Sequence, residues 1–274
     1  MSVKSQILSK QLEWATATGL NPDQRGYLSN YERNLFQPLN PQSKLAFDQG
    51  SGSELQDRST GPAKMRALHS SSALAANFFD AWVDADTKPL VVIFDLEARP
   101  VNIRFEGQYS TGLPGTPPNL DVIFELQNGL VVGIESKFTE WLTPKSSSKP
   151  AFKDKYFPTA RGVWETVGLP ETQRLAEEVQ LKEIAFRHLD APQLMKHALG
   201  LATHCGSKFR LLYVYFDAPG PEGDLHRKEI EIFTDRLMSE LGFRAFSYQK
   251  LIKKLLGSSQ NPNEYLAYLR ARYG

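Results

Sequence analysis

The order of helical and extended patterns along the chain predicts an α/β fold, a mixed central β-sheet flanked by helices. Three observations carry this. Two runs, Leu120–Leu126 and Leu130–Phe138, read as strands joined by a tight turn. The continuous apolar run Phe209–Phe216 suits a strand buried on both faces. Amphipathic helical patterns precede, separate and follow these runs.

Taken in order, Lys4–Thr18 reads as a helix, with Ile7, Leu8 and Leu12 near helical spacing. From Asn21 to Ala63 the chain is rich in Gly, Pro, Ser and Asn and is expected to be irregular, so residues 1–63 form an irregular N-terminal extension of one domain spanning 1–274. A serine at Ser70, Ser71 or Ser72 caps a helix over His69–Val83, whose stripe is Leu74, Phe78 and Trp82. Leu90–Asp95 and Val101–Glu106 read as strands, followed by the two hairpin strands. Lys145–Pro158 reads as a loop and Glu171–Leu189 as a helix. Asp190-Ala191-Pro192 is a helix-start signal, with the helix carried by Gln193–Thr203. Glu222–Leu241, closed by Gly242, is the next helix, and Phe243–Tyr248 a last strand before a C-terminal helix pair.

The bulk composition narrows the function classes. At 41% hydrophobic and 23% charged residues, the chain has the balance of an ordinary globular protein. No apolar run approaches the roughly 20 residues needed to span a bilayer, so no membrane partner is expected. The first residues lack a secretory signal, and a single cysteine, Cys205, excludes an internal disulfide framework. A cytoplasmic location is expected. His188, His204 and Cys205 offer too few soft ligands, at unsuitable spacing, for zinc. The net charge of +1 does not announce a nucleic-acid binder, but a polyanion meets local patches rather than totals. One such patch exists: between Pro144 and Gly162 stand Lys145, Lys149, Lys153, Lys155 and Arg161 against Asp154 alone, interleaved with Phe152, Tyr156 and Phe157.

The chemistry-bearing stretch is Pro118-Asn119-Leu120-Asp121 followed by Ile134-Glu135-Ser136-Lys137. Residues two apart on a strand share a face, so Glu135 and Lys137 point the same way. Asp121 joins them only in one register. A two-residue Asn128-Gly129 turn would pair Val122 with Glu135 and put the two acids on opposite faces. A three-residue loop, Gln127-Asn128-Gly129, pairs Leu126 with Leu130 and Asp121 with Glu135. That register also gathers Val122, Phe124 and Leu126 with Leu130, Val132 and Ile134 on one face. Apolar burial therefore selects the register that the chemistry requires. Gly129 in a left-handed conformation, ending a type I turn with a bulge, completes it.

Two carboxylates on one face can hold a hard divalent cation, Mg²⁺ or Mn²⁺, through oxygen ligands. The Ser136 carbonyl is a candidate further ligand, and Lys137 is placed to orient an attacking water or steady charge on phosphoryl oxygens. Isolated, an Asp followed by Glu-x-Lys is weak, since an exposed Glu–Lys pair on a solvated strand contributes only about 0–1 kcal/mol. The hairpin, its register and the basic stretch downstream distinguish this instance.

With these residues the chain resembles the PD-(D/E)XK nuclease superfamily, and more narrowly a family of bacterial restriction-endonuclease-like proteins. The narrower resemblance rests on Gly50–Leu55, Lys64–Phe79 with its triple serine, Pro117–Asp121, Ile134–Leu142 and Ala191–Leu201, and extends from about Leu28 to the end. It implies a restriction-endonuclease-like sheet with the catalytic hairpin at its middle, and Mg²⁺-dependent endonuclease cleavage of nucleic acid, with DNA the expected substrate. Asp121, Glu135 and Lys137 are the expected catalytic set. In many superfamily members a further glutamate completes the site; Glu54 and Glu106 are the candidates here. Some carry a Gln-x-x-x-Tyr helix beside the site, where this chain has Gln193 and, as a departure, His197. Gln193 and Lys196 are candidates for phosphate contact, beside Lys145, Lys149, Lys153, Lys155 and Arg161. Double-strand cutting would favour a homodimer. The competing expectation is a catalytically inactive nucleic-acid-binding module on the same fold.

Overall fold

A computed structural model describes residues 2–50, 52–59, 61–146, 149–159, 161–258 and 263–274. Five strands form one mixed sheet in the order β1 (Pro100–Gln108), β2 (Asn119–Leu126), β3 (Val131–Lys137), β4 (Phe209–Tyr215) and β5 (Arg244–Ser247). β1–β2 and β2–β3 are antiparallel, β3–β4 and β4–β5 parallel. The predicted mixed α/β sheet is present, with the hairpin at its centre.

The hairpin register is the one that burial demanded. Val122 pairs with Ile134 and Phe124 with Val132, while Leu126 N–H donates to the Leu130 carbonyl at 2.9 Å. Gly129, at φ 79°, closes the loop by donating to the Leu126 carbonyl at 2.9 Å.

Two cores lie on the two faces. Val122, Phe124, Val132 and Ile134 face a core built with α3 (Ser71–Phe79), α4 (Lys88–Phe94), α9 (Tyr248–Ser258) and α10 (Glu264–Tyr273). Its centre is aromatic: Phe94 and Phe124 ring centroids stand 5.9 Å apart, near-perpendicular, an arrangement that aligns positive ring edge with negative face. Ile123, Leu211 and Tyr213 face the other core, against α6 (Pro170–Gln180), α7 (Ala191–Cys205) and α8 (Pro221–Leu241). α7 starts where the sequence signals it: the Asp190 side chain caps the Gln193 N–H at 3.2 Å, and Pro192 occupies the first turn. α7 sits tightly on β3 at Gly133, where a Cβ would meet Leu120 Cδ1 and Leu201 Cδ1, each at 2.9 Å.

Several elements differ from expectation. Of Leu90–Asp95, read as a strand, Leu90–Phe94 belong to α4 and Asp95 ends it in a left-handed conformation, φ 52°. Leu90, Ile93 and Phe94 are buried at helical spacing, while Val92 is 67% exposed; inside a continuous apolar run this period is invisible beforehand. The segment Asn21–Ala63, read as irregular, contains α2 (Pro41–Gln49), capped by Asn40 and docked on β1 by Phe47 against Phe105. The helix expected over Glu171–Leu189 stops at Gln180, because Leu181 is followed by Lys182 in a left-handed conformation, φ 63°. The expected His69–Val83 helix holds as α3, with a 3-10 turn over Asp80–Trp82. α1 (Val3–Ala17) and α5 (Val163–Thr166) are the remaining α-helices among the described residues.

The early and late parts of the chain are clasped together. Gln11 on α1 donates to the Arg272 carbonyl at 2.9 Å. The buried Arg272 guanidinium donates to the Asn34 carbonyl at 2.8 Å and side-chain oxygen at 2.5 Å, and lies over the Trp14 ring. No helix among the described residues is long and apolar enough to cross a membrane.

Candidate active site

The β2–β3 ladder opens where the chemistry-bearing residues begin. In the observed register, Ser136 N–H would next bond the Leu120 carbonyl. Instead it donates to Asp121 Oδ2 at 2.7 Å. Leu120 correspondingly leaves the face of Val122 and joins the α7-side core. The Asp121 carboxylate thus lies at the parting of the two strands, bonded to Ser136, the residue between Glu135 and Lys137.

Glu135 is 1% exposed, and both its oxygens have basic neighbours. Lys137 Nζ donates to Oε1. His197 Nε2, from α7, stands 2.9 Å from Oε2 but not in hydrogen-bond alignment, so each of those two atoms is buried without a hydrogen bond. The Lys137 side chain retains 18% exposure and links the buried acids to solvent.

The two acids are displaced in opposite directions. Burial raises the Asp121 carboxyl well above the usual range, and the neighbouring Glu135 charge adds to the rise; Lys137 and the Ser136 N–H oppose it. Burial also pushes Glu135 up, but Lys137 and then His197 outweigh it and hold Glu135 below its ordinary value. Burial disfavours the Lys137 ammonium, yet Glu135 and Asp121 overcome this and keep it charged.

Both further acid candidates reach the same region. Glu106 lies between the pairs Phe105–Val122 and Gly107–Leu120, which sets it beside Asp121 on the neighbouring strand. It adopts φ 51°, a left-handed conformation that costs a non-glycine residue about 1–3 kcal/mol. Its Oε2 accepts from Asn119 Nδ2 at 2.6 Å. Burial raises its pKa, Asn119 lowers it, and Glu54 and Glu135 raise it further. Glu54, whose position the sequence left open, is brought in by the triple serine: Ser70 caps α3, and the Ser72 hydroxyl donates to Glu54 Oε2. Lys64 Nζ lies 3.2 Å from Glu54 Oε1. The result is a file of acids, Glu54, Glu106, Asp121 and Glu135, with Lys64 at one end and Lys137 at the other.

Among the described residues, no group of three or more His, Cys, Asp or Glu is disposed to enclose a metal ion. The donor set does fit a hard cation that keeps most of its water. Asp121 and Glu135 supply adjacent carboxylates whose mutual repulsion a cation would relieve, and Glu135 Oε2 lacks a hydrogen bond.

The predicted nucleic-acid contacts divide. Lys149, Lys153 and Arg161 are exposed. Lys145 pairs with Asp190, and Lys155 donates to the Pro114 carbonyl. The aromatics interleaved with them are not a stacking surface: Phe152 and Tyr156 are buried against Trp164, because the stretch folds over the α7-side core. Residues 147, 148 and 160 of that stretch lie outside the described residues. Lys196 rests over the Phe152 and Tyr156 rings at 5.2 and 5.5 Å. Gln193, half-buried, begins the α7 turn that ends at His197. His197, noted in the sequence as a departure at the position four after Gln193, is given no role there. Its spacing of four from Gln193 is the available signal, and its contact with Glu135 follows from α7 packing on β3.

No curated protein and no solved structure matches the chain. Residues 9–274 match the profile of a family described as "Restriction Endonuclease associating with ARP". With nearly its whole length matched and a mixed sheet of the restriction-endonuclease-like kind, the chain belongs to this family.

Proposed function

We propose that the chain is a metal-dependent nuclease of the PD-(D/E)XK type, hydrolysing phosphodiester bonds in nucleic acid, most readily DNA. The observation that carries this reading is the Asp121–Ser136 hydrogen bond, which replaces a ladder bond and sets Asp121 beside Glu135 and Lys137. A strand pair serving only structure has no need to open its ladder around a half-buried acid.

Asp121 and Glu135, with the Ser136 carbonyl, would hold Mg²⁺ or Mn²⁺; Glu106 and Glu54 extend the acidic file for a second ion. Such an ion, when bound, polarises the phosphate and offsets charge developing on its oxygens. The remaining work belongs to the chain. Lys137 fixes Glu135 through a hydrogen bond to Oε1, and His197 stands 2.9 Å from Oε2. The Lys137 ammonium, held protonated by two carboxylates, orients the attacking water and steadies phosphoryl charge. The buried surroundings strengthen each of these interactions relative to water. Lys149, Lys153 and Arg161, with Lys145, Lys155, Lys196 and Gln193 behind them, supply contacts to the strand backbone.

The test is direct. Purified protein incubated with supercoiled DNA should nick or cut it in Mg²⁺ or Mn²⁺ and stop in EDTA. Binding of DNA with no cleavage under any divalent ion would leave an inactive binding module instead.

A further inference from the structure

A concavity lies between the stretch after β3, the end of α6 and the start of α7. Its volume is about 590 Å³, within the roughly 300–1,000 Å³ of pockets that take drug-sized ligands. Its charge is one-sided. Lys145, Lys149, Lys182, Arg187 and Lys196 line it, against Asp190 alone, and Asp190 is already engaged by Lys145 and by the start of α7. Its floor is apolar, formed by Val179, Ile184, Phe186 and Pro192.

The walls are fixed by the chain itself. Lys145 N–H donates to the Arg187 carbonyl at 2.7 Å, tying the stretch after β3 to the segment after α6. The Gln180 side chain accepts from Phe152 N–H at 3.1 Å and donates to its carbonyl at 3.4 Å, so the last turn of α6 holds the opposite wall. Lys182 reaches the rim from a left-handed backbone conformation, φ 63°, which a lysine adopts at a cost. Burial lowers the Lys196 ammonium; Asp190 opposes the shift, and Lys145, Lys153 and Lys155 add to it.

An inorganic anion has no use for the apolar floor, and an apolar ligand none for the five cations. We propose that this pocket binds one nucleoside phosphate, with its ring system over the floor of Val179, Ile184 and Phe186 and its phosphate among Lys145, Lys182, Arg187 and Lys196. A volume of about 590 Å³ suits one nucleotide rather than a length of duplex, so the occupant is a free nucleotide or the terminal nucleotide of a single strand. Binding alone is at issue, and it stands whether or not the acidic file cleaves.

The test is calorimetric titration of the wild-type chain in EDTA with AMP, GMP, CMP and UMP, with adenosine, and with inorganic phosphate. At least one nucleotide should bind saturably, and at least tenfold more tightly than both adenosine and phosphate. Lys182→Glu and Arg187→Glu, at exposed positions, should each weaken that binding tenfold or more, while Lys44→Glu, an exposed control on α2, leaves it unchanged. Equal binding of phosphate and nucleotide, or nucleotide binding indifferent to both pocket substitutions, would overturn the proposal. Competition by a 5′-phosphorylated oligonucleotide that displaces the nucleotide identifies a strand end as the natural occupant; failure to displace identifies a free nucleotide. Since metal is absent throughout, the outcome is independent of whether the chain is a nuclease.

Discussion

The two faces of the β2–β3 hairpin differ in what they tolerate. One is apolar but for Ser136, whose hydroxyl bonds that of Tyr248 at 2.7 Å: Val122, Phe124 and Leu126 interlock with Leu130, Val132 and Ile134 and are buried against four helices. The other alternates apolar residues with Asp121, Glu135 and Lys137, and its ladder parts at Ser136. A slip of one residue would mix the two sets. The apolar face therefore fixes the geometry of the polar one, and the polar face can carry mutually repelling charges because it need not hold the hairpin together.

The largest effect should come from attacking the apolar face. Phe124→Ala removes a fully buried ring and should cost about 3–5 kcal/mol of stability in urea denaturation. Activity should then fall only in proportion to the folded fraction. If Phe124→Ala left stability untouched, the apolar face would not be what sets the register.

The opposite signature is expected on the polar face. Asp121→Ala and Lys137→Ala should each lower cleavage by about 10²–10³-fold or more, with circular dichroism unchanged. Cleavage surviving both substitutions would move the chemistry elsewhere.

Between the two lies Gly133, on the polar face but packed against α7. Gly133→Ala places a Cβ at 2.9 Å from both Leu120 and Leu201 and should cost about 1–3 kcal/mol. Because α7 carries His197 to Glu135, cleavage should fall beyond the loss of folded protein.

A subtler effect separates stability from function at Asp121. Its folded pKa is raised, so between the ordinary carboxylate value and the folded one the native state holds a proton that the unfolded chain has lost; stability falls as pH rises through that window. Asp121→Asn should therefore stabilise the chain at neutral pH, with the gain vanishing below the ordinary carboxylate pKa. Mg²⁺ should raise the melting temperature of the wild type and not of this variant. The smallest effect concerns the basic stretch: replacing Lys149, Lys153 and Lys155 with Ala should weaken DNA binding and flatten its salt dependence, by about 0.9 in slope for each phosphate no longer neutralised. An unchanged slope would remove the stretch from the interface.

What could be read from residues alone followed from period and punctuation. The hairpin was legible because an Asn-Gly turn and two alternating runs admit only one register that buries Val122, Phe124, Val132 and Ile134 together. α7 was legible from Asp190 and Pro192. α4 was not, since Leu90–Phe94 is apolar throughout and β-branched in its middle, and the helical burial of Leu90, Ile93 and Phe94 shows only against the packed aromatics. Phe152 and Tyr156 escape sequence reading for a related reason: in a lysine-rich stretch nothing local distinguishes a displayed ring from one folded over a core that is supplied by Trp164 and α7. Glu54 and Glu106 gather around the hairpin through long-range packing and Ser72, relations that no local spacing encodes, and only the spacing of four from Gln193 hinted at His197.

Arg272 ties together segments that lie far apart in the chain. Its guanidinium satisfies carbonyls of Asn34 and Leu68, and its own carbonyl receives Gln11, a residue 261 positions earlier. Until α10 docks, those early segments lack their polar partners and the adjacent apolar core stays uncovered. Closure over so long a separation is intrinsically slow. Refolding should accordingly be paced by this clasp rather than by the local β2–β3 hairpin.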